Sequence, residues 1–334
     1  MIVIEQIEDL EDGYPFPAVA LGTFDGVHLG HREILDRVVR RARREGGTAA
    51  VFTFARHPME VVNPSKAPPL ITPLAIKRDI MAAVGIDLMI AVNFTPSLAD
   101  TSPRDFVKRY MVDRLGARFV CIGYDFAFGQ ARAGSPELLK ELGETHQFEL
   151  DVVPAMRVDG CVVSSTHIRR LLAHGELRQA TRCLGRPYAI LGVVERGAKR
   201  GRGLGYPTAN LPATMDVIVP DGVYAGQAWL KQGLHKALIN VGRAPTFGGE
   251  ARRVEIHLLE AEEELYGETM TLFFVERLRD ERRFDDPSLL RAQIDRDKRQ
   301  AETIFAAFPR FAPEEWALLS ERPVLSYSRF QVST

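Results

Sequence analysis

Residues 18–44 read AVALGTFDGVHLGHREILDRVVRRARR, and their pattern decides the fold. The opening run, residues 18–24, is apolar and partly β-branched, too short for a typical helix and suited to a strand buried on both faces. After Gly30 the period changes. Ile34, Leu35, Val38, Val39 and Ala42 recur at helical spacing, with Arg32, Arg37, Arg40, Arg41 and Arg44 elsewhere, which predicts an amphipathic helix with a solvated arginine face. A buried strand, a glycine-rich turn and a helix form the repeating unit of a parallel α/β sheet.

That unit recurs along the first half. Short apolar runs at residues 49–54, 88–94, 119–122 and 148–153 read as further buried strands. Ser102-Pro103 and Ser135-Pro136 each place a capping hydroxyl before a proline at the first helical position, opening helices over 104–115 and 137–142. The alternation continues to about residue 184 and predicts a doubly wound α/β fold, whose ligands bind outside the carboxyl ends of the strands.

After residues 184–187, LGRP, the texture shifts to short alternating strands at 189–194, 223–230, 236–241, 253–259 and 269–275, parted by Gly and Pro clusters. These predict an antiparallel β-barrel domain. A long amphipathic helix follows over 287–307, carrying Leu289, Leu290, Ile294 and Ile304, with a shorter one over 313–320. The expected domains are residues 1–184 and 185–334.

Bulk composition narrows the setting. Lys+Arg 43 against Asp+Glu 44 leaves a net charge of -1, so no global field draws this chain to nucleic acid or anionic membrane, and its basic residues act locally. The first seventeen residues carry Glu5, Glu8, Asp9, Glu11 and Asp12 where a signal peptide needs a basic start, and no later segment resembles a membrane span; the expectation is a cytoplasmic protein. Cys121, Cys161 and Cys183 are scattered and form no C-x-x-C pair, so they read as reduced. Nothing in the sequence fixes an oligomeric state.

The turn itself carries chemistry. Gly22, Gly26 and Gly30 allow close backbone approach, and the helix start after Gly30 offers N–H groups and a positive dipole end to phosphate. His28 and His31, three apart, can donate to one phosphate chain, with Thr23, Phe24 and Asp25 completing the loop. In nucleotidyl transfer the attacking group is already a phosphate, so donors matter more than a base. By residue type alone the histidine pair reads equally as a partial metal site or as two surface histidines.

The wider string, G-x-F-D-G-x-H-x-G-H, strongly resembles the N-terminal signature of the bacterial bifunctional riboflavin kinase/FAD synthetases. Residues 163–169, VSSTHIR, look like that family's S-S-T-x-I-R motif, implying a second phosphate clamp from Ser165, Thr166 and Arg169; outside that context the hydroxyls read as a helix cap. Residues 53–58, TFARHP, and 123–129, GYDFAFG, resemble further family loops. Asp125 is the polar side chain able to reach ribose or a metal, and His57 reads either as a site residue or as a turn former before Pro58. The chain departs from the commoner T-F-x-P-H-P at Arg56, and Val162 stands where some relatives carry a basic residue.

No G-x-x-x-x-G-K-[ST] loop or H-R-D set is present, so phosphoryl transfer needs another cradle. Residues 197–210 read GAKRGRGLGYPTAN: Gly197, Gly201, Gly203 and Gly205 free the backbone, and Lys199, Arg200 and Arg202 add charge. Out of context this is a flexible basic loop. Its end closely resembles the P-T-A-N motif of riboflavin kinases, which implies Mg²⁺ held by Thr208 and Asn210; neutral oxygens suit that ion. Residues 240–247, 254–257, 266–267 and 278–284 follow in the same family's order. Glu255 shares a strand face with Arg253 and His257, an arrangement that alone signals solubility.

The resemblance implies that Glu255 is the general base for the riboflavin 5′-hydroxyl and that Arg279 and Phe284 contact flavin. It further implies ATP as co-substrate, Mg²⁺, and riboflavin, FMN and FAD as substrates and products, with residues 185–334 phosphorylating riboflavin and residues 1–184 adenylylating FMN. Two other readings stand beside it: nucleotidyl transfer to a different phosphate acceptor, and a flavin-binding protein with dead sites. Against the second, His28, His31, Thr208, Asn210 and Glu255 are all present.

Overall fold

The buried runs of the first half pair as six strands. In a computed structural model describing residues 1–10, 13–195, 206–212, 217–246, 249–260, 265–282 and 284–308, they are β1 (Ile2–Ile4), β2 (Pro17–Leu21), β3 (Thr48–Phe54), β4 (Leu88–Val92), β5 (Phe119–Gly123) and β6 (Glu149–Val153). All neighbours are parallel, in the order β1-β4-β3-β2-β5-β6. Winding runs from β2 through β3 to β4 and then reverses to β5 and β6. The β2/β5 boundary is therefore the topological switch point, where α/β sheets take their ligands.

Helices α1 (Leu29–Arg44), α2 (Met59–Val62), α3 (Leu74–Val84), α4 (Pro96–Ala99), α5 (Pro103–Phe106) and α6 (Pro136–His146) connect the strands, and a small hairpin, β7 (Arg157–Val158) with β8 (Cys161–Val162), follows. The serine caps form as expected: the Ser102 and Ser135 hydroxyls accept from the N–H groups of Asp105 and Leu138, contacts worth about 1 kcal/mol each. The helix expected over 104–115 is α5 continued by a π-helical stretch, Val107–Arg114, which still buries Val107 and Met111. Those side chains join Val19, Phe52, Ile90 and Val120 in one core.

Two expectations need correction. Strand β2 ends at Leu21, because Phe24 turns into the left-handed region at φ 48° while staying buried. The arginines of α1 are not merely solvated: Arg32 is buried, which pushes its guanidinium pKa down against the pull of Asp36, while Arg37 and Arg41 pair with Asp151 and Glu149 of β6 and Arg43 with Asp87.

Contacts divide the described residues into two compact units, 1–165 and 166–308. α7 (Ser165–Ala173) starts at the last residue of the first, and α8 (Leu177–Leu184) leads into the second sheet. Its strands are β9 (Tyr188–Val193), β10 (Ala209–Leu211), β11 (Gly222–Leu230), β12 (Gly233–Thr246), β13 (Gly249–Leu258) and β14 (Thr269–Arg279), antiparallel in the order β10-β13-β12-β11-β14-β9. The Glu195 N–H donates to the Asn210 carbonyl at 2.8 Å, joining the two edges of this half-barrel at one bridge.

α9 (Pro287–Ala307) has the expected bounds, opened by the Asp286 carboxylate accepting from the Ser288 N–H. Its buried line differs from the expected stripe. Leu289 is 58% exposed, and Asp297, Ala301 and Phe305 face inward. All three cysteines are free, Cys121 and Cys183 buried and Cys161 exposed. The helix expected over 313–320 lies outside the described residues.

Two candidate active sites

The first site is the loop between β2 and α1. Phe24, Gly26 and Val27 all have left-handed φ, at 48°, 89° and 37°. For β-branched Val27 this conformation stores strain on the order of 1–3 kcal/mol, and such strain persists only where surroundings over-determine it. The surroundings do so: Phe24 and Val27 are fully buried, and the Asp25 carboxylate, 2% exposed, accepts from the Ile71 N–H at 3.0 Å and the Thr72 N–H at 3.1 Å. The Asp25 side chain thus shapes the loop.

His28 caps α1. Its Nδ1 accepts from the His31 N–H at 3.3 Å, the two rings stack at 3.6 Å, and the His31 ring meets Phe24 edge-on at 5.1 Å. A neutral ring that accepts at Nδ1 carries its proton on Nε2, the donor form for phosphate. Gly30 lies under this pair, where an added Cβ would stand 3.3 Å from the His28 ring. Both imidazoles therefore sit at the positive end of α1.

Three further elements meet this loop. The Ser165 hydroxyl donates to the Asp25 carbonyl at 2.8 Å, bringing the S-S-T segment to it; on α7 beyond, Thr166 is exposed and Arg169 half-buried. The Thr23 carbonyl accepts from the Thr53 hydroxyl and from Lys77 Nζ, each at 2.9 Å. Gly22 is half-buried at the end of β2, and Asp125 is exposed beyond the end of β5, at the same sheet edge because β2 and β5 are parallel neighbours. His57 is a turn former here, its Nδ1 accepting from the Met59 N–H at 3.2 Å.

Lys77 escaped the sequence reading. It is 3% exposed, donates also to the Phe54 carbonyl at 3.2 Å, and burial lowers its pKa to about 8 although Asp25 opposes the shift. Its signal was a lysine sharing the buried helical face of Ile80 and Met81, three and four residues on.

The second site is a row across three strands. Asn210 of β10 and Asn240 of β12 both stand directly opposite Glu255 of β13, so the three side chains share one sheet face. Asn240 and Glu255 border a cleft of about 390 Å³, a size typical of small-molecule sites, lined also by Thr208, Arg279, Phe284 and Leu290 among others, while Asn210 is buried beside it in the sheet. Asn240 belongs to a quoted motif but was not assigned to the site.

Around the cleft, polar contacts fix its walls. The buried Asp297 carboxylate accepts from Arg279 Nε and Nη2 at 3.0 and 2.9 Å and from Gln293 Nε2 at 2.8 Å, binding α9 to β14. The guanidinium groups of Arg279 and Arg282 both lie over the Phe284 ring, at 5.9 and 5.8 Å from its centre. His257 Nδ1 is 3.0 Å from the Pro207 carbonyl, and because a carbonyl only accepts, this nitrogen carries the proton. The His257 ring meets Tyr206 edge-on at 5.2 Å, and the Tyr206 hydroxyl donates to Asp295 at 2.7 Å. The P-T-A-N segment is thereby tied to β13 and α9. Gly197, Lys199, Arg200, Gly201, Arg202, Gly203 and Gly205 lie outside the described residues.

A strained histidine-bearing loop on a parallel sheet and a carboxylate-bearing cleft in an antiparallel half-barrel belong to the two parts of a transferase, as the family models show. Residues 16–167 match the FAD synthetase family model and residues 184–305 the riboflavin kinase family model. The bifunctional riboflavin kinase/FMN adenylyltransferase of Listeria monocytogenes is 35% identical over 291 residues, covering 86% of this chain and 92% of that protein. Its counterpart in Escherichia coli K12 is 34% identical over 288 residues, with the same coverage. A solved structure from Streptococcus pneumoniae, described as a macrolide-efflux protein, superposes with a TM-score of 0.80 at 28% identity, over 90% of this chain and 98% of its own. Among the described residues no helix is long and apolar enough to cross a membrane. The chain belongs to the bifunctional riboflavin kinase/FMN adenylyltransferase family.

Proposed function

We infer that this protein makes FAD from riboflavin in two ATP-dependent steps, with residues 185–334 acting as the kinase and residues 1–184 as the adenylyltransferase. The observation that carries this reading is that each half matches its own family model.

In the kinase step Glu255 takes the proton of the riboflavin 5′-hydroxyl. That oxygen bonds to the γ-phosphorus of ATP, the bond to the β,γ-bridging oxygen breaks, and ADP leaves with FMN formed. Thr208 and Asn210 offer neutral oxygens beside this carboxylate, a donor set that fits Mg²⁺, an ion that retains waters and takes further ligands from phosphate. When bound, Mg²⁺ neutralises charge on the β- and γ-phosphates. Phe284, Leu290 and Ile294 supply an apolar wall for the isoalloxazine ring, with Arg279 at its side. The basic glycine-rich segment from Gly197 to Gly205 is the proposed phosphate cradle.

In the transferase step a phosphate oxygen of FMN bonds to the α-phosphorus of ATP, and pyrophosphate leaves. No hydroxyl needs deprotonation, so the work falls to donors that stabilise charge: His28 through Nε2–H, His31 and the N-terminus of α1. Ser165, Thr166 and Arg169 are the proposed second clamp, and Asp125 the ribose or metal contact. The near-neutral chain has no feature calling for nucleic acid or a membrane, and the cytoplasm is its proposed setting.

Purified protein given riboflavin, ATP and Mg²⁺ tests this directly by chromatography over time. FMN should rise first and FAD follow. FMN without FAD would overturn the transferase assignment, and no conversion of riboflavin would overturn the kinase.

A further inference from the structure

We propose that Lys77 is a positioning residue for adenylyl transfer: its ammonium joins the carbonyls of Thr23 and Phe54 and so fixes the loop that presents His28 and His31. The proposal rests on reading the first site as the transferase.

The contacts form a closed strap. Asp25, inside the loop, holds the backbone N–H groups of Ile71 and Thr72 just before α3. Lys77, on α3, reaches back to the loop at Thr23 and to the last residue of β3 at Phe54. One side chain thus connects the carboxyl ends of two adjacent parallel strands at the sheet's ligand-binding edge, at the residue just before strained Phe24.

Hydrogen-bond satisfaction does not by itself require a cation here. The Thr23 carbonyl already accepts from the Thr53 hydroxyl, and a buried ammonium is unfavourable where an apolar chain of similar length would pack. Retaining charge at this position implies a role for the charge. Asp25 is the charged group acting on it; Thr23 and Phe54 present neutral carbonyls and Thr53 a hydroxyl. With burial lowering the Lys77 pKa to about 8, the folded protein loses this charge as pH rises through that value, and the charge-assisted bonds weaken.

The test uses the full chain, assaying FMN adenylylation and riboflavin phosphorylation separately across alkaline pH. Lys77→Met should lower kcat for adenylylation by about 10²-fold, the usual effect of a small misplacement, with phosphorylation unchanged. Wild type should lose adenylylation as pH passes about 8, whereas Lys77→Met should be flat there. Lys77→Arg, whose charge does not titrate in this range, should recover part of the rate and also lack the alkaline fall. A purely structural lysine would lower the melting temperature and leave the shape of the pH profile intact. Wild-type kcat in Lys77→Met, or the wild-type alkaline fall persisting in it, overturns the proposal; should Lys77→Met fail to fold, the wild-type alkaline fall persisting in Lys77→Arg overturns it. If wild type itself makes no FAD from FMN, the reading of the site fails instead.

Discussion

Asn210 and Glu255 stand directly opposite each other across β10 and β13, and Asn240 occupies the matching place on the other side of Glu255. A carboxylate between two amides, at the border of a ligand-sized cleft, is oriented by backbone register and not by any flexible loop. This register puts the proposed metal-binding side chain and the proposed base on one face.

Glu255→Gln keeps that geometry and removes the basicity. Riboflavin phosphorylation should fall by roughly 10²–10⁴-fold in kcat, while adenylylation of supplied FMN continues unchanged. Steady-state assays of the two half-reactions check this; equal loss in both would sink the two-site reading.

His28→Ala removes the proposed phosphate donor of the first site and leaves the second unit untouched. FAD formation from FMN should drop by about 10²–10³ in kcat, and FMN should accumulate when riboflavin is supplied. An unaltered rate of FAD formation would take His28 out of the chemistry.

Arg279 and Asp297 form a pair whose carboxylate is almost wholly shielded, with side-chain exposures of 22% and 3%. Arg279→Met leaves that carboxylate with Gln293 and should destabilise the second unit by about 3–5 kcal/mol in urea titration. Adding Asp297→Leu should restore most of the loss, since an apolar replacement of a buried pair is often neutral or better. A double variant no more stable than the single would show that this pair does not anchor α9.

His257 gives an acid-side signature. Burial lowers its pKa below 6.5, partly offset by the bond to Pro207, and Lys298 lowers it further. The folded state therefore binds fewer protons than the unfolded state as pH falls through 6.5, so stability drops with falling pH in that window. Thermal melts of the second unit should show this decline, and His257→Gln should flatten it; an unchanged slope would assign the decline to other groups.

The parallel sheet was legible because strands buried on both faces leave uninterrupted apolar runs, and α9 because Asp286 and Pro287 mark its start. Phe24 misled the boundary of β2, since a buried aromatic in a turn looks like one in a strand. Arg32 and Leu289 misled in opposite directions: an ionic side chain is buried beside the expected apolar face of α1, and an apolar one is exposed on α9, where Asp297, Ala301 and Phe305 face inward. Site residues within contiguous motifs could be read. Asp297 could not, and Lys77 and Asn240 showed only as a lysine on an apolar helical face and as one member of a motif, because what they do comes from contacts between elements far apart in sequence, and periodicity is blind to register.

The bond from Ser165 to Asp25 spans 140 positions, nearly the whole first unit. The glycine-rich loop precedes Ser165 by most of the first unit, so its tether arrives only when the rest of that unit has been made. In the second unit, the three-residue strand bearing Asn210 must likewise wait for β13, with β11 and β12 synthesised between. Loop-closure entropy makes such distant contacts late events in folding. Each candidate site therefore closes late: a half-folded chain carries the glycines and histidines of the first without the bond that joins them to α7, and the Glu255 of the second without its Asn210 neighbour.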